Sequence, residues 1–443
     1  MHIISYRGPL AGGGVSSALS SLLARSKDVS WSFVQQSSLH VNMAGSSFTY
    51  HAGEFPGDVL EGHYRYCNEF IWPVMHDMPE RARYSSEDRK SYRQFNWLAI
   101  HKLYRETRGE HPYFVQDYQL ALFPTILRSY IGTRTLLFWH IPWAKQILSI
   151  HVLAIREIAR ALLNADVIGF HTEEYAENFR RFVAEHMGDQ ATLIESGSPE
   201  VVVAPLGIDS QSWSDNSLNS KPCTVLGLES FNGQTIALSV DRIDYTKGVL
   251  ERIKTIELFF QLHPEQRGKL TFVQVGERTR AGLFGYNEYW VDCKKTAKRV
   301  LSSYGDGFWK PLIWIERSLP PHDLACLYRR ANLMLVNPIR DGLNLTAKEF
   351  SACQNQRDPG ILLLSKGAGV WTELGSHVVE LDPLSPVEMI GSINKALAMS
   401  ESERQFRSTL ISNALHQNSL ANWWDKFHAR AHKLLEGGLQ HAR

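Results

Sequence analysis

Short, continuously apolar runs alternate with longer amphipathic segments along this chain, and no other feature restricts the fold as strongly. Six predicted strands form a first series: "HIISY", "SWSFVQQ", "YFVQDY", "TLLFWHI", "ADVIGFHT" and "EVVVAPLGI". Six more form a second: "TIALSVD", "KLTFVQVG", "LIWIER", "LMLVNP", "GILLLS" and "HVVELDP". Helical patterns such as "ILSIHVLAIREIARALLNA" lie between them. Continuous apolar strands separated by helices indicate parallel sheets covered on both faces, so the fold class is doubly wound α/β.

One polar segment, "SQSWSDNSLNSKPCTVLGLESFNGQ", interrupts the alternation near residues 210–233. We place a domain boundary there, which gives an N-terminal domain of residues 1–222 and a C-terminal domain of residues 223–422. The final amphipathic stretch, 423–443, is expected to pack back onto the first domain through its two tryptophans. Ligands of doubly wound sheets bind at the carboxyl ends of strands, so two facing units would share one cleft.

Composition excludes several classes of protein. A chain of 443 residues with 44% hydrophobic and 21% charged residues is typical of a globular protein of two or three domains. A formal net charge of +1 provides no general attraction to nucleic acid or to an anionic membrane, and no apolar run is long enough to span a bilayer. Five dispersed cysteines and an N-terminus unlike a signal peptide favour a cytoplasmic protein with reduced thiols.

The segment "SVDRIDYTKGVLE" places Arg242 and Lys247 between a predicted strand and a predicted helix. Cations at the beginning of a helix oppose its dipole, so they are unfavourable there unless an anion joins them. Together they could clamp a diphosphate, the arginine by its planar fork and the lysine as a point charge. The alternative interpretation is a solvated helix N-terminus.

A second strand end carries "NPIRDGLNLTAKEF", in which Asp341, Gly342 and Asn344 form the predicted turn. Glu349, in the helix that follows, could accept two hydroxyls of a ribose or another sugar. The alternative is an ordinary helix start capped by Asn344. His140 in "FWHIPWA" also follows a strand, where ligand contact is more probable than for an average histidine.

Two further motifs are weaker on their own. Asp117 in "VQDYQL" could accept a hydroxyl at a strand end or could belong to an Asx turn. The glycines of "AGGGV" could let a backbone approach a phosphate or could form a simple tight turn. The sequence has neither a GxGxxG fingerprint nor an HExxH motif, zinc-ligand spacing or GxSxG elbow. We therefore expect no metal and no cofactor, with Arg242 and Lys247 neutralising the charge.

Taken together, these motifs resemble the trehalose-6-phosphate synthase-like retaining glycosyltransferases, a family that includes glucosylglycerol-phosphate synthases. The resemblance begins at "SYRGPLAGGGVSSAL", continues through "FIWPVMH", "VQDYQL" and "FWHIPW", and is densest in "VDRIDYTKG", "NPIRDGLNLTAKEF" and "GILLLSKGAGVWTEL". It implies the GT-B fold, in which two Rossmann-like domains face each other across a cleft. It also implies transfer of a glucosyl group from a nucleotide sugar such as UDP- or GDP-glucose to a phosphorylated acceptor. A homo-oligomer is one open alternative for the assembly.

The resemblance implies a role for each matching residue. Four residues take part in catalysis. Arg242 and Lys247 bind the donor diphosphate, and His140 and Asp341 contact the donor sugar. The donor-binding set, whose last member takes the nucleotide ribose, is Gly13, Gly14, Gly342, Leu343, Asn344, Leu345 and Glu349. The acceptor-binding set, whose two arginines lie nearest the phosphate, is Arg7, His63, Tyr64, Trp72, Asp117 and Arg280.

The acceptor half departs from the family pattern. His63 falls where the family has a tyrosine, with Tyr64 beside it, and Gln116 replaces the histidine of the usual "HDY". The same chemistry on glycerol 3-phosphate, or on a cyclitol, sugar or nucleoside phosphate, is therefore an alternative. Two further alternatives are a non-catalytic sugar-phosphate sensor and a nucleotide-dependent oxidoreductase. The intact donor motifs argue against the sensor, and the absent dinucleotide fingerprint argues against the oxidoreductase.

Overall fold

A computed structural model describes residues 1–8, 14–23, 29–33, 55–107, 112–190, 198–219 and 233–441. The chain forms two compact units, one of residues Met1–Gly207 and Leu420–Arg443, the other of residues Ile208–Ser419. The domain boundary predicted between residues 222 and 223 lies outside the described residues, as does Gly13.

The first unit is built on a six-stranded parallel sheet with the strand order β2-β1-β3-β4-β5-β6. Four of its strands are buried along their whole length, because helices cover both faces of the sheet. The strands are β1 (His2–Ser5), β2 (Ser30–Phe33), β3 (Tyr113–Gln116), β4 (Thr135–Trp139), β5 (Val167–Phe170) and β6 (Glu200–Val203).

The helices of the first unit include a long one, α4, and a π-helical turn at Tyr66–Ile71 that joins α2 to α3. The set is α1 (Gly14–Leu23), α2 (Gly57–Arg65), α3 (Trp72–Met75), α4 (Ser86–Thr107), α5 (Phe123–Tyr130), α6 (Ser149–Leu162) and α7 (Glu173–His186). The C-terminal helix of the chain, Leu420–His441, also belongs to this unit. Its Trp423 and Phe427 stack on Phe114 with ring centroids 5.7 and 5.0 Å apart. The end of the chain thereby covers one face of the first sheet.

The second unit contains another six-stranded parallel sheet, with the order β12-β11-β10-β7-β8-β9. Its strands are β7 (Thr235–Val240), β8 (Leu270–Val275), β9 (Leu312–Ile315), β10 (Leu333–Val336), β11 (Ile361–Ser365) and β12 (Val379–Leu381). Among the described residues, each of the twelve predicted runs contains one of the twelve strands. The predicted α/β fold class is confirmed.

Eight α-helices accompany the second sheet in the described residues. They are α8 (Ser210–Asn219), α9 (Val249–Leu262), α10 (Tyr286–Tyr304), α11 (Pro321–Arg330), α12 (Leu345–Ala352), α13 (Trp371–Leu374), α14 (Pro386–Leu397) and α15 (Glu401–Gln417), and the C-terminal helix of the first unit is α16. Helix α8 differs from the expectation, since it lies in the polar segment interpreted as a linker. Its Trp213 packs on Tyr328, 5.8 Å between ring centroids, so tertiary contact overrides the weak helix propensity of its serines and asparagines.

In each sheet all strands are parallel, but the order in which the chain adds them reverses at one position. That position determines where functional side chains can meet. The strand order of the first sheet reverses between β1 and β3, and that of the second sheet reverses between β7 and β10. Crevices at the carboxyl ends of such strands are the usual ligand sites of doubly wound sheets. No helix in the described part of the chain is long and apolar enough to cross a membrane.

Candidate active site

At the reversal of the second sheet, the segments that follow β7 and β10 begin side by side. The two strands pair in parallel, with Ala237 opposite Leu333 and Leu238 opposite Met334. Asp241 and Arg242 follow the first strand, and Asn337 and Pro338 follow the second. Two of the sequence motifs, ninety or more residues apart, are therefore brought to one edge of one sheet.

Lys247 forms the central contact of this edge. Its Nζ donates to Oδ2 of Asp341, and the two side chains are only 11% and 10% exposed. Asn344 Nδ2 donates to the same oxygen at 3.1 Å. The ammonium, the carboxylate and the amide thus form one polar cluster, in which the position of Lys247 is determined by two residues of the other segment.

The backbone before Lys247 is shaped by its own side chains. Asp244 caps the short 3₁₀ turn Tyr245–Lys247 by accepting from the backbone N–H of Thr246 at 3.1 Å. Gly248 then adopts a left-handed conformation, with φ of 65°. A Cβ at this position would lie 2.4 Å from the carbonyl oxygen of Asn337, so the turn requires glycine. Arg242, at the start of the segment, is half-buried.

Arg280 also lies in the second unit. Its NH1 donates to Oδ2 of Asp244 at 2.7 Å and to the hydroxyl of Tyr286 at 2.6 Å. The Arg280 side chain is 5% exposed and that of Asp244 is fully buried. The structure therefore joins this arginine to the turn that carries Lys247, in the second unit, whereas Arg7 belongs to the first.

Arg252 is a residue of this edge that sequence reasoning missed. The guanidinium donates to Gln274 Oε1 at 2.7 Å, to Asp241 Oδ2 at 3.3 Å and to Oδ1 of Asn337. It connects the ends of β7, β8 and β10 while only 2% exposed. The sequence carried a signal, because Arg252 occupies the buried face of α9, three residues after the buried Val249.

The turn after β10 is held by a second backbone loop. Asp341 N–H donates to Gly367 O at 2.8 Å, and Val370 N–H donates to Leu343 O at 2.9 Å. A Cβ at Gly369 would lie 2.1 Å from Gly342 O, so the two loops touch backbone to backbone. The backbone of Gly342 and Leu343, two predicted donor-binding residues, is thereby held against the second loop, and the third, Leu345, begins α12.

Asn344 and Glu349 occupy the start and middle of α12. Asn344 is in the left-handed region with φ of 79°, and its Oδ1 accepts from Ala347 N–H at 3.3 Å, so it is the helix cap. Glu349 is half-buried and accepts from the hydroxyl of Tyr328 at 3.1 Å. Burial raises the pKa of Glu349 to about 7, and the hydrogen bond from Tyr328 opposes that rise.

In the first unit, four predicted residues lie at the carboxyl edge of the sheet or just beyond it. Arg7 is exposed, two residues after the end of β1, and Gly14 begins α1. Asp117 directly follows β3 with φ of 74°, and its Oδ1 accepts from the backbone N–H of His140 at 3.1 Å. The neighbouring strands β1, β3 and β4 therefore bring Arg7, Asp117 and His140 to one edge.

His140 is enclosed by polar groups from both neighbouring strands. Its Nε2 contacts Gln116 Oε1 at 2.9 Å, and its Nδ1 contacts Nε2 of His171 at 3.3 Å. Burial lowers the pKa of His140 to about 3, so the ring is neutral at physiological pH. His171 was not predicted as a site residue, although its position directly after β5 was the same signal that singled out His140.

His63, Tyr64 and Trp72 lie further along the first unit. His63 is fully buried, its ring stacks on Tyr92 and its Nε2 bonds to the backbone oxygen of Gln119 at 3.0 Å. Burial lowers the pKa of His63 to about 4. The adjacent Tyr64 is half-buried, and Trp72 is 5% exposed at the start of α3. Of the two alternatives at the family's tyrosine position, Tyr64 is thus the one with accessible surface.

Among the described residues, no group of three or more histidine, cysteine, aspartate or glutamate side chains is arranged to hold a metal ion. Arg242, Lys247 and Arg252 each bring a positive charge to the carboxyl edge of the second sheet.

Comparison with known proteins agrees with this geometry. The model of glycosyltransferase family 20 matches residues 16–433. The trehalose-6-phosphate synthase of Sinorhizobium fredii is 30% identical over 381 residues, which are 84% of this chain and 81% of that protein. A bifunctional trehalose-6-phosphate synthase/phosphatase of Thermoproteus tenax is 32% identical over 378 residues, which are 83% of this chain, but the chain spans about half, 51%, of that protein's length.

The fold has close solved counterparts. An α,α-trehalose-phosphate synthase (UDP-forming) from Burkholderia xenovorans, crystallised with glucose 6-phosphate, superposes with a TM-score of 0.88. It is 25% identical, and the match covers 97% of this chain and 99% of that one. The predicted GT-B architecture and the predicted trehalose-6-phosphate synthase-like family are confirmed. The chain belongs to glycosyltransferase family 20.

Proposed function

We propose that this chain is a retaining hexosyltransferase that moves a glucosyl group from a nucleotide sugar, with UDP-glucose as the first candidate, to glucose 6-phosphate. The observation that carries the proposal is the cluster of Lys247, Asp341 and Asn344 beside Arg242, at the reversal of the second sheet. Family membership supports the reaction type. The UDP-forming relatives and the relative crystallised with glucose 6-phosphate support these two substrates.

The proposed reaction proceeds on one face of the donor sugar. The bond between the anomeric carbon and the diphosphate oxygen breaks, and the acceptor hydroxyl oxygen forms a new bond to that carbon from the same side. The acceptor proton passes to the departing diphosphate, so a nucleoside diphosphate and a glycoside leave the enzyme. No protein carboxylate is required as a nucleophile in this path, and configuration is retained.

Arg242 and Lys247 stabilise the negative charge that develops on the leaving diphosphate. A preorganised cation in a half-buried site is more effective there than in water, because little solvent must reorganise as the charge appears. Asp341 determines where the Lys247 ammonium lies, and the hydrogen bond from Asn344 in turn restrains the carboxylate. Because these groups carry the charge, we propose that the enzyme needs no metal ion and no cofactor.

The remaining sugar contacts are assigned by the same logic. His140 and Asp341 contact the donor sugar, and Glu349 holds the nucleotide ribose. Arg7 is exposed and lies at the reversal of the first sheet, beside Asp117, which suits a phosphate and a hydroxyl of the acceptor. Arg280, whose guanidinium Asp244 and Tyr286 orient, is likewise assigned to the acceptor phosphate. Trp72 and Tyr64 complete the acceptor side.

The protein is assigned to the cytoplasm. Cys67, Cys293, Cys326 and Cys353, the cysteines that lie in the described residues, form no disulfide with one another. Free thiols, of which three are buried here, are typical of proteins in a reducing compartment. Fractionation of the source cells, with a cytoplasmic and a secreted marker protein, tests this assignment.

The substrates are tested by a matrix of donors and acceptors. UDP-, GDP- and ADP-glucose are each combined with glucose 6-phosphate and with glycerol 3-phosphate, and the nucleoside diphosphate released is measured. We expect the highest rate with UDP-glucose and glucose 6-phosphate, and a product whose NMR couplings show the retained α configuration. Turnover only with another phosphorylated acceptor would keep the reaction and change the acceptor. Binding without turnover of any pair would identify a sugar-phosphate sensor instead.

A further inference from the structure

Gln116, His140 and His171 form a continuous row of hydrogen bonds across three neighbouring strand ends. They follow or end β3, β4 and β5, which are adjacent in the first sheet. The contacts are 2.9 Å from His140 Nε2 to Gln116 Oε1 and 3.3 Å from His140 Nδ1 to His171 Nε2. All three residues are at least nine-tenths buried. Buried polar rows of this kind have a defined proton on each bond, because an unmatched pair would be costly.

The direction of every hydrogen bond follows from one end of the row. The backbone N–H of Leu206 can only donate, and it contacts His171 Nδ1 at 3.3 Å. His171 therefore carries its proton on Nε2 and donates it to Nδ1 of His140. His140 must then carry its own proton on Nε2 and donate it to Gln116.

The amide at the other end agrees with this direction. Gln116 Oε1 faces His140, while its Nε2 is directed at the carbonyl oxygen of Phe114 at 3.5 Å. An amide turned the other way would place an N–H donor against a ring nitrogen that already bears hydrogen. The row is consistent only with two neutral rings, both protonated on Nε2.

We infer that Gln116 and His171 are positioning residues that hold His140 as a neutral hydrogen-bond donor at Nε2. The inference rests on the proposed role of His140 in holding the donor sugar. A ring in this state offers the sugar an N–H, which an oxygen of the sugar can share with Gln116. It offers no lone pair at that atom, so His140 binds and orients the sugar and takes no proton from it.

The identity of residue 116 explains why the row has one direction. The family pattern has histidine at this position, and a histidine can present either a donor or an acceptor nitrogen. It can also gain a second proton below neutral pH. A glutamine oxygen facing His140 can only accept, and it does not titrate. Replacement of histidine by Gln116 therefore removes both ambiguities.

Burial, and not the groups around it, keeps the His140 ring neutral. His171 faces it from β5, and Asp117 at the end of β3 accepts its backbone N–H at 3.1 Å. Phe138 lies on the same strand with ring centroids 4.5 Å apart. Burial pushes the pKa of His140 down to about 3, far below the pH range in which enzymes of this kind are assayed. The network therefore keeps one protonation state at neutral pH.

Nuclear magnetic resonance on the full chain tests the protonation states without reference to activity. The protein is labelled with ¹⁵N-histidine, and the signals of His140 and His171 are identified by their loss in the variants H140N and H171N. We expect both rings to show the neutral pattern with the proton on Nε2 from about pH 6 to about pH 8. A His140 ring that is charged, or protonated on Nδ1, would overturn the inference whether or not the enzyme transfers glucose.

Two substitutions at residue 116 test the consequence for substrate binding. Gln116→Leu keeps a similar volume and removes the acceptor, so the direction of the His140 bond is no longer enforced. We expect its kcat/KM for the nucleotide sugar to fall about tenfold, chiefly through KM, with the acceptor KM unchanged. Gln116→His can still present an acceptor nitrogen to His140, so it is expected to retain more activity than Gln116→Leu.

Two controls separate this role from a structural one. The exposed Gln261 on α9 is the matched glutamine, and Gln261→Leu is expected to leave both constants unchanged. Thermal unfolding of each variant identifies any loss of folded protein. A Gln116→Leu enzyme with unchanged donor KM, or a Gln116→His enzyme with a larger rise in donor KM than Gln116→Leu, would overturn the inference.

Discussion

Lys247 Nζ is bonded to Asp341 Oδ2 although 94 residues separate the two in the chain. The contact exists because β7 and β10 are neighbours at the point where the strand order of the second sheet reverses. Each strand delivers its own following segment to the same edge. The cation that we propose for the diphosphate and the carboxylate that we propose for the sugar are thereby held together.

The first prediction concerns Lys247 itself. Lys247→Ala is expected to lower kcat by about 10²–10³-fold, because one preorganised charge on the developing leaving group is lost. The measurement is steady-state release of nucleoside diphosphate at saturating acceptor. Lys254→Ala, on the exposed face of α9, is the matched control and should keep the natural kcat. A Lys247→Ala enzyme that turns over at the natural rate would remove this lysine from the reaction.

The second prediction concerns the pH dependence of stability through Glu349. Burial raises its pKa from 4.5 in the unfolded chain to about 7 in the folded protein. Between these values the folded state holds a proton that the unfolded state releases, so the free energy of unfolding falls as pH rises. Glu349→Gln cannot titrate and lacks this loss.

Urea unfolding at about pH 5 and about pH 8 measures the effect. We expect the variant to gain stability over the natural chain by about 1–3 kcal/mol on going from the lower to the higher pH. An equal difference between the two proteins at both pH values would show that the carboxyl group of Glu349 titrates normally.

The third prediction concerns the buried guanidinium of Arg252. Arg252→Met leaves Asp241 buried without its compensating charge, and this is expected to destabilise the protein by about 3–5 kcal/mol in urea unfolding. The double variant with Asp241→Asn should recover a large part of the loss, since no uncompensated charge remains. Lys254→Met, on the exposed face of the same helix, should change stability little. Equal losses in the single and the double variant would contradict the ion-pair explanation.

The fourth prediction compares two glycines. Gly248→Ala must place a Cβ 2.4 Å from the carbonyl oxygen of Asn337 at a φ of 65°, so we expect a loss of about 1–3 kcal/mol and a lower kcat through displacement of Lys247. Gly391 lies in α14 with open space where its Cβ would be. Gly391→Ala should therefore stabilise the helix by about 0.5–1 kcal/mol. Thermal unfolding of both variants measures these changes. A Gly248→Ala protein that is more stable than the Gly391→Ala protein would contradict the prediction.

The strands were predictable because their signal is local. A run such as "TIALSV" or "LLFW" is apolar at every position, and a strand buried on both faces needs no alternation. All twelve runs formed strands, and the position of His140 at a carboxyl strand end singled it out, while Arg242 and Asp341 were found from the charges and turn residues that follow their strands. Helix α8 was missed because its serines and asparagines resemble a linker, and only the packing of Trp213 makes it helical.

The site was predictable in its residue types and not in its connections. Arg252 was overlooked, because a charged residue on a helix is usually solvated, and its burial depends on Gln274 and Asn337 from other strands. His63 was matched to an acceptor position by alignment, yet the structure encloses its ring. His171 became significant only when β5 was seen to lie beside β4.

By itself the sequence determined the strands, the chemistry at their ends and the family of the protein. Those properties depend on residues that are close together in the chain. Tertiary structure alone decided that β7 lies against β10, and with it the bond between Lys247 and Asp341. It also decided the direction of the hydrogen bonds through His140, which begins at the backbone of Leu206. Strand order and proton position depend on contacts between distant segments, and no local pattern of residues encodes them.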